Sequence, residues 1–162
     1  MEPALKAAVL TISSSRASRS EADDPGGDEL ERWARQLGAE VVERDLVADT
    51  RDLIEDRIRH FADAAGCDLV LTTGGTGFAP DDVTPEATIS VADRLAPGIA
   101  EAMRLASREH TDRWMLARNV AAIRGGTLIV NFPGSPRAIG EAGAAIAVAL
   151  PHAIEIMRGG GH

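Results

Sequence analysis

From its first residues the chain alternates between short apolar runs and segments whose apolar residues repeat at helical spacing. This alternation restricts the fold to a parallel sheet with helices packed on its faces. Ala7-Ala8-Val9-Leu10-Thr11-Ile12 suits a strand buried on both sides, and the polar Ser13-Ser14-Ser15 ends it. Residues 13–28, rich in Ser, Asp and Gly, read as a long loop with hydroxyls and amides available to a ligand. Leu30, Trp33, Ala34 and Leu37 then fall at i, i+3, i+4 and i+7, which predicts a helix following Asp28 and closed by Gly38. Residues 40–47 suit a second strand. Leu53, Ile54, Ile58, Phe61, Ala62 and Ala65 define a second helix, with Asp49 or Thr50 placed to cap it and Gly66 to end it. Leu69-Val70-Leu71 begins a third strand. With right-handed crossovers the expected architecture is α/β, a single domain over residues 1–162 in three α/β/α layers around a mostly parallel sheet.

The remainder of the chain repeats the strand, turn and helix theme. Thr84-Pro85-Glu86 reads as a helix start with a hydroxyl cap and proline in the first turn, and Pro97 starts another helix with Ser107 near its end. Gly125-Gly126 leads into the strand Thr127-Leu128-Ile129-Val130-Asn131, and Pro133-Gly134-Ser135-Pro136 opens a last helix that Pro151 stops or kinks. Residues 159–162 read as a frayed tail.

Composition narrows the function classes. A formal net charge of −8 over 162 residues argues against general nucleic-acid binding, which needs a basic face. No apolar run approaches the roughly 20 residues of a membrane span, and the N-terminus lacks the regions of a signal peptide, so the expected location is the cytoplasm. Lys6 is the only lysine, which removes any Walker A phosphate loop. Cys67, the single cysteine, reads as a small buried hydrophobe, and His60, His110, His152 and His162 show no metal-ligand spacing.

The segment carrying the most chemistry is Thr72-Thr73-Gly74-Gly75-Thr76-Gly77-Phe78-Ala79-Pro80-Asp81-Asp82-Val83-Thr84-Pro85-Glu86-Ala87. Glycines at Gly74, Gly75 and Gly77 after a strand allow backbone N–H groups to converge on a phosphate, and Asp82 supplies a hard oxygen ligand beside them. A plain structural turn and the start of a dinucleotide fingerprint are the alternatives, although Pro80 replaces the last glycine of that fingerprint. Asp82 can also serve as a helix-dipole partner, Asp49 as a helix cap, and Ser135 as a cap with Pro136 behind it. The polar loops beginning at Ser13, Thr72 and Asn131 all follow strands, and in an open parallel sheet one pocket can use all three.

These segments together resemble the MogA/MoaB family of molybdopterin-binding proteins, to which the gephyrin G domain is similar. The resemblance rests on Thr72 to Gly77 with Asp82-Val83-Thr84-Pro85-Glu86-Ala87, on Ile12-Ser13-Ser14-Ser15-Arg16-Ala17-Ser18, on Pro97-Gly98, and on Asn131-Phe132-Pro133-Gly134-Ser135-Pro136. It implies a homo-oligomer, a trimer or hexamer, whose members use Mg-ATP to adenylate the terminal phosphate of molybdopterin and release pyrophosphate. A partner protein that inserts molybdate would then consume the product. By that resemblance Asp82 and Asp49 are the catalytic and Mg²⁺-binding carboxylates. Ser13, Ser14, Thr73, Gly74, Gly75, Thr76, Gly77, Ser107, Pro133, Gly134 and Ser135 contact substrate. The chain departs from the family pattern at Asp81, where a basic residue is usual, at Pro25-Gly26-Gly27, and at Ala117. A pterin carrier without transferase activity, or another nucleotide-processing enzyme on the same domain, are the alternative readings of this domain.

Overall fold

In the computed structural model, which describes residues 3–19 and 23–160, six strands form one sheet in the order β2-β1-β3-β6-β5-β4. β1 (Leu5–Ile12), β2 (Ala39–Val47), β3 (Leu69–Thr73) and β6 (Thr127–Phe132) are parallel, while β5 (Ala121–Arg124) runs antiparallel to β6 and to the two-residue β4 (Arg94–Leu95). The sequence does not announce β4 and β5. Both are too short to carry a periodic signal; β5 is ordered by pairing through the Gly125-Gly126 turn onto β6, and β4 by pairing onto β5.

The crossovers from β1 to β2 and from β2 to β3 run in opposite directions across the sheet, and right-handedness therefore sends their helices to opposite faces. α2 (Pro25–Gln36) joins β1 to β2 on one face, and α3 (Arg51–Arg59), followed by a single π-helical turn at His60–Ala64, returns over the other to β3. α5 (Pro97–Ser107), α6 (Pro136–Ile146) and α7 (Ala149–Met157) share the face of α2, and α4 (Thr84–Val91) shares that of α3. β1 shows how the sequence builds both layers: Ala7 and Val9 pack with Leu30, Trp33 and Ile139, whereas Ala8, Leu10 and Ile12 pack with Ile54, Ile58 and Phe61. The tilted Trp33–Phe132 ring pair, 5.0 Å between centroids, locks α2 onto β6.

Several local expectations shift. α2 begins at Pro25, not after Asp28, because the Asp24 carboxylate accepts the Gly27 N–H at 3.0 Å and proline occupies the first helical position. The loop before it also contains the single helical turn α1 (Ser14–Ala17), capped by the Ser13 hydroxyl. Thr50 is the N-cap residue of α3 but makes no side-chain capping bond, and Asp49 is engaged elsewhere. The last helical segment is two helices bent by 62°, and Pro151 lies in the first turn of the second, where its missing N–H breaks no helical bond. Of the expected frayed tail, Gly161 and His162 fall outside the described residues, whereas the Gly160 N–H reaches Glu155 O at 2.8 Å. Cys67 is buried as expected, and burial pushes its thiol up to about 11. No single described helix is long and apolar enough to cross a membrane.

Candidate active site

The chain leaves β1 in one direction and β3 in the other, so a crevice must open outside the carboxyl ends of these two neighbouring strands. A cavity of about 410 Å³ lies there. Its wall is built from the end of β1 (Thr11, Ile12, Ser13), Arg16 of α1, the start of α2 (Asp24, Pro25, Gly26), the end of β3 (Thr73, Gly74) and the start of α6 (Gly134, Ser135, Pro136). Two helix N-termini thus open onto one space, and the helix dipoles favour an anion there, with Asp24 capping one helix and Ser135 the other.

The floor of this crevice is the glycine turn. Gly74 and Gly75 have φ of +97° and +69°, a left-handed pair that side chains disfavour. Space forbids them as well: a Cβ on Gly74 would stand 2.3 Å from Ile12 O, and one on Gly75 would stand 2.3 Å from Thr84 Oγ1. The Thr84 hydroxyl, expected as a helix cap, instead donates to Gly74 O at 3.0 Å while the Thr84 N–H donates to Gly75 O at 3.1 Å. α4 is thereby tied to the turn rather than capped by a side chain. Thr73 Oγ1 donates to Pro133 O at 2.7 Å and joins the turn to the loop after β6.

Asp49 and Asp82 flank this turn from two different loops. Asp49 Oδ2 accepts the Ser14 N–H and the Ser14 hydroxyl, both at 2.9 Å, and its Oδ1 lies 3.2 Å from where a Gly75 Cβ would be. Asp82 Oδ2 accepts the Ala79 N–H at 3.0 Å and lies 2.8 Å from the corresponding position on Gly77. Ser14 is therefore bonded to Asp49, whereas the Ser13 hydroxyl caps α1 and the Ser135 hydroxyl caps α6 at the cavity edge.

Not every residue singled out from the sequence joins the main cavity. Ser107 Oγ donates to Met103 O at 3.2 Å and lines a separate space of about 30 Å³ together with Thr76, Pro133, Arg104, Ala117 and Asn119. This space is roughly the size of one water.

The structure adds residues that sequence reading passed over. Asp24 stands in the cavity wall, its Oδ2 accepting Thr11 Oγ1 at 2.6 Å and Arg44 Nη2 at 3.0 Å. Burial alone would raise the pKa of this carboxyl, but the bonds from Thr11, the Gly27 N–H and Arg44 outweigh it and hold it below the usual value. The Asp24-Pro25 pair carries a helix-start signal that could have found it. Arg118, which follows Ala117 at the family's Ser-Arg position, carries no local sign of its partners, and neither does Thr11, because those partners lie far away in the chain.

The family model described as a probable molybdopterin binding domain matches residues 8–152. The chain belongs to this molybdopterin-binding family. Among its relatives, a protein of Haemophilus influenzae named molybdopterin adenylyltransferase is 43% identical over 143 residues, which cover 87% of this chain and 72% of the relative. The Escherichia coli K12 protein of the same name is 41% identical over 139 residues, covering 85% of this chain and 71% of its own. In three dimensions the chain is similar to the crystal structure of the molybdopterin biosynthesis enzyme MoaB of Thermus thermophilus, with a TM-score of 0.88, 41% identity and coverage of 96% and 97%. The molybdopterin-binding fold thus extends over both core layers and every strand that feeds the crevice.

Proposed function

We propose that this protein is a molybdopterin adenylyltransferase of molybdenum cofactor biosynthesis. The observation that carries the reading is that the Asp49 and Asp82 carboxylates both stand against the Gly74–Gly77 turn, whose first glycine lines a cavity onto which two helix N-termini open. The names of the relatives support it. In the reaction a terminal phosphate oxygen of molybdopterin attacks the α-phosphorus of ATP. One P–O bond forms, the bond to the β-phosphate bridge breaks, and pyrophosphate leaves with the electron pair. No covalent enzyme intermediate is required, so catalysis reduces to alignment and charge neutralisation.

The chain's own residues supply both. N–H groups of the glycine turn and of the α2 and α6 starts hold phosphate oxygens, and Thr73, Ser13, Gly134 and Ser135 shape the wall. Ser107, Thr76 and Pro133 border a separate small space and not the main cavity. Asp49 and Asp82 fit Mg²⁺ as a donor set, since this ion takes one or two carboxylates and completes its shell with water and substrate phosphates. Among the described residues no group of three or more His, Cys, Asp or Glu forms a cage, which agrees with a metal shared with substrate. When bound, Mg²⁺ neutralises phosphate charge.

We also propose that the protein works in the cytoplasm as a homotrimer or a hexamer and hands adenylylated pterin to a molybdate-inserting partner protein. Exposed Leu95, Leu105, Met115 and Leu116 support self-association. Light scattering coupled to size exclusion tests the assembly: a monomer at micromolar concentration contradicts it. The activity is tested by mixing the protein with molybdopterin, ATP and Mg²⁺ and measuring adenylylated pterin and pyrophosphate in equal amounts. Pterin binding with no product would leave a carrier, and pyrophosphate release without pterin would indicate a different nucleotide substrate.

A further inference from the structure

The loop carrying Asp82 leaves the fold at Gly77 and returns at Asp82, and one side chain holds both ends. Arg118 Nε donates to Gly77 O at 2.8 Å, and Arg118 Nη2 donates to Asp82 O at 2.7 Å. The other edge of the same guanidinium faces Glu86 on α4, with Nη1 to Oε2 at 2.9 Å and Nη2 to Oε1 at 3.1 Å. The backbone N–H of Arg118 also donates to Thr76 O at 2.9 Å. Between the two ends, Phe78 is 68% exposed, and the loop's own bonds are the reciprocal pair of Asp82 N–H to Ala79 O and Ala79 N–H to Asp82 Oδ2, each 3.0 Å.

We infer that Arg118, oriented by Glu86, is a positioning residue that sets where the Asp82 carboxylate stands relative to the glycine turn. The reciprocal Ala79–Asp82 pair fixes the shape of the loop but not its distance from the body of the fold. That distance is set by Arg118, whose planar fork meets carbonyl oxygens at both ends while Glu86 balances its charge. A lysine offers a point charge and cannot satisfy three acceptors in one plane. The Arg118 hydrogen bond holds the Glu86 carboxyl below its usual value. The kinetic consequence rests on the adenylyltransferase reading; the effect on loop geometry does not.

The experiment compares wild type, Arg118→Lys and Glu86→Gln by three readouts: kcat with molybdopterin, Mg²⁺ and ATP; the pterin Kd without ATP; and amide hydrogen exchange at Ala79. Arg118→Lys is expected to lower kcat about tenfold or more, to change the pterin Kd less than about threefold, and to speed exchange at Ala79 about tenfold with core amides of β1 and β3 unchanged. Glu86→Gln keeps an acceptor oxygen and is expected to show the same pattern with a smaller loss. Unchanged exchange at Ala79 overturns the inference whatever happens to kcat. So does a fall in kcat matched by an equal fall in pterin affinity and in core protection, which is the pattern of general destabilisation. If Arg118→Lys does not fold, Glu86→Gln carries the same test. If wild type makes no adenylylated pterin, the adenylyltransferase reading fails by itself and exchange at Ala79 still decides the role of Arg118.

Discussion

Asp49 and Ser14 are joined by three hydrogen bonds: Asp49 Oδ2 accepts both the N–H and the hydroxyl of Ser14, and the same hydroxyl accepts the Asp49 N–H, all at 2.9 Å. The loop after β2 is thereby locked to the loop after β1, and one carboxylate oxygen remains directed at the glycine turn. This relationship makes Ser14, expected to contact substrate, a determinant of where the Asp49 carboxylate stands.

Ser14→Ala removes the hydroxyl from both of its bonds and leaves Asp49 with one backbone N–H. Hydrogen bonds to charged groups contribute about 1.5–3 kcal/mol, so a loss of roughly tenfold or more in kcat is expected, with pterin affinity nearly unchanged. Steady-state kinetics beside direct pterin binding measures the split. Equal losses in both would place Ser14 in substrate binding instead.

Asp82→Ala removes a carboxylate at the glycine turn without touching the turn itself. Turnover is expected to fall by roughly a hundredfold or more while the pterin Kd moves only a few-fold, because a carboxylate that would hold Mg²⁺ against the phosphates is lost and the N–H cradle is kept. Single-turnover formation of adenylylated pterin reads the chemical step. A Kd that worsened as much as the rate would contradict the assignment.

Gly75→Ala tests the turn. At φ +69°, with Thr84 Oγ1 2.3 Å and Asp49 Oδ1 3.2 Å from the added Cβ, the backbone must move or the Thr84 hydroxyl must leave Gly74 O. Strain of this kind costs about 1–3 kcal/mol. Urea denaturation should show a destabilisation in that range, together with near-complete loss of activity. A variant as stable and active as wild type would mean that the turn is not held in its left-handed form.

Part of the acid sensitivity should trace to Asp24. Its folded-state pKa lies below the ordinary value of 3.8, so the unfolded chain takes up the proton first as pH falls. The stabilisation is therefore complete above the ordinary value and is lost as pH drops through the folded one. Asp24→Asn is expected to be less stable at neutral pH and to show a flatter stability profile below about pH 4, measured as Tm against pH. Parallel profiles for variant and wild type would exclude Asp24 as the group responsible.

Much of the fold was legible because burial leaves a periodic trace. β1, β3 and β6 read as continuous apolar runs since both faces are covered, and α3 and α5 read from helical spacing. β5 left no such trace, as Ala-Ala-Ile-Arg has little strand character apart from its pairing with β6. The start of α2 was misplaced because a glycine pair after proline looks like a turn, whereas the Asp24 cap makes it the first turn of a helix.

The site divides in the same way. The sequence alone determined the chemistry available: a glycine turn after a buried strand, carboxylates at Asp49 and Asp82, and serine-bearing loops at the strand ends. The turn, Asp82 and the serine loops are local properties of residue type and spacing, whereas Asp49 was marked out by the family resemblance. Only the tertiary structure decided which groups meet. It paired Ser14 with Asp49, turned the Thr84 hydroxyl from cap to tether, kept Ser107 out of the main cavity, and brought Arg118 across to both ends of the Asp82 loop. Such contacts join residues tens of positions apart, and they follow from strand order and right-handed crossovers rather than from any pattern along the chain.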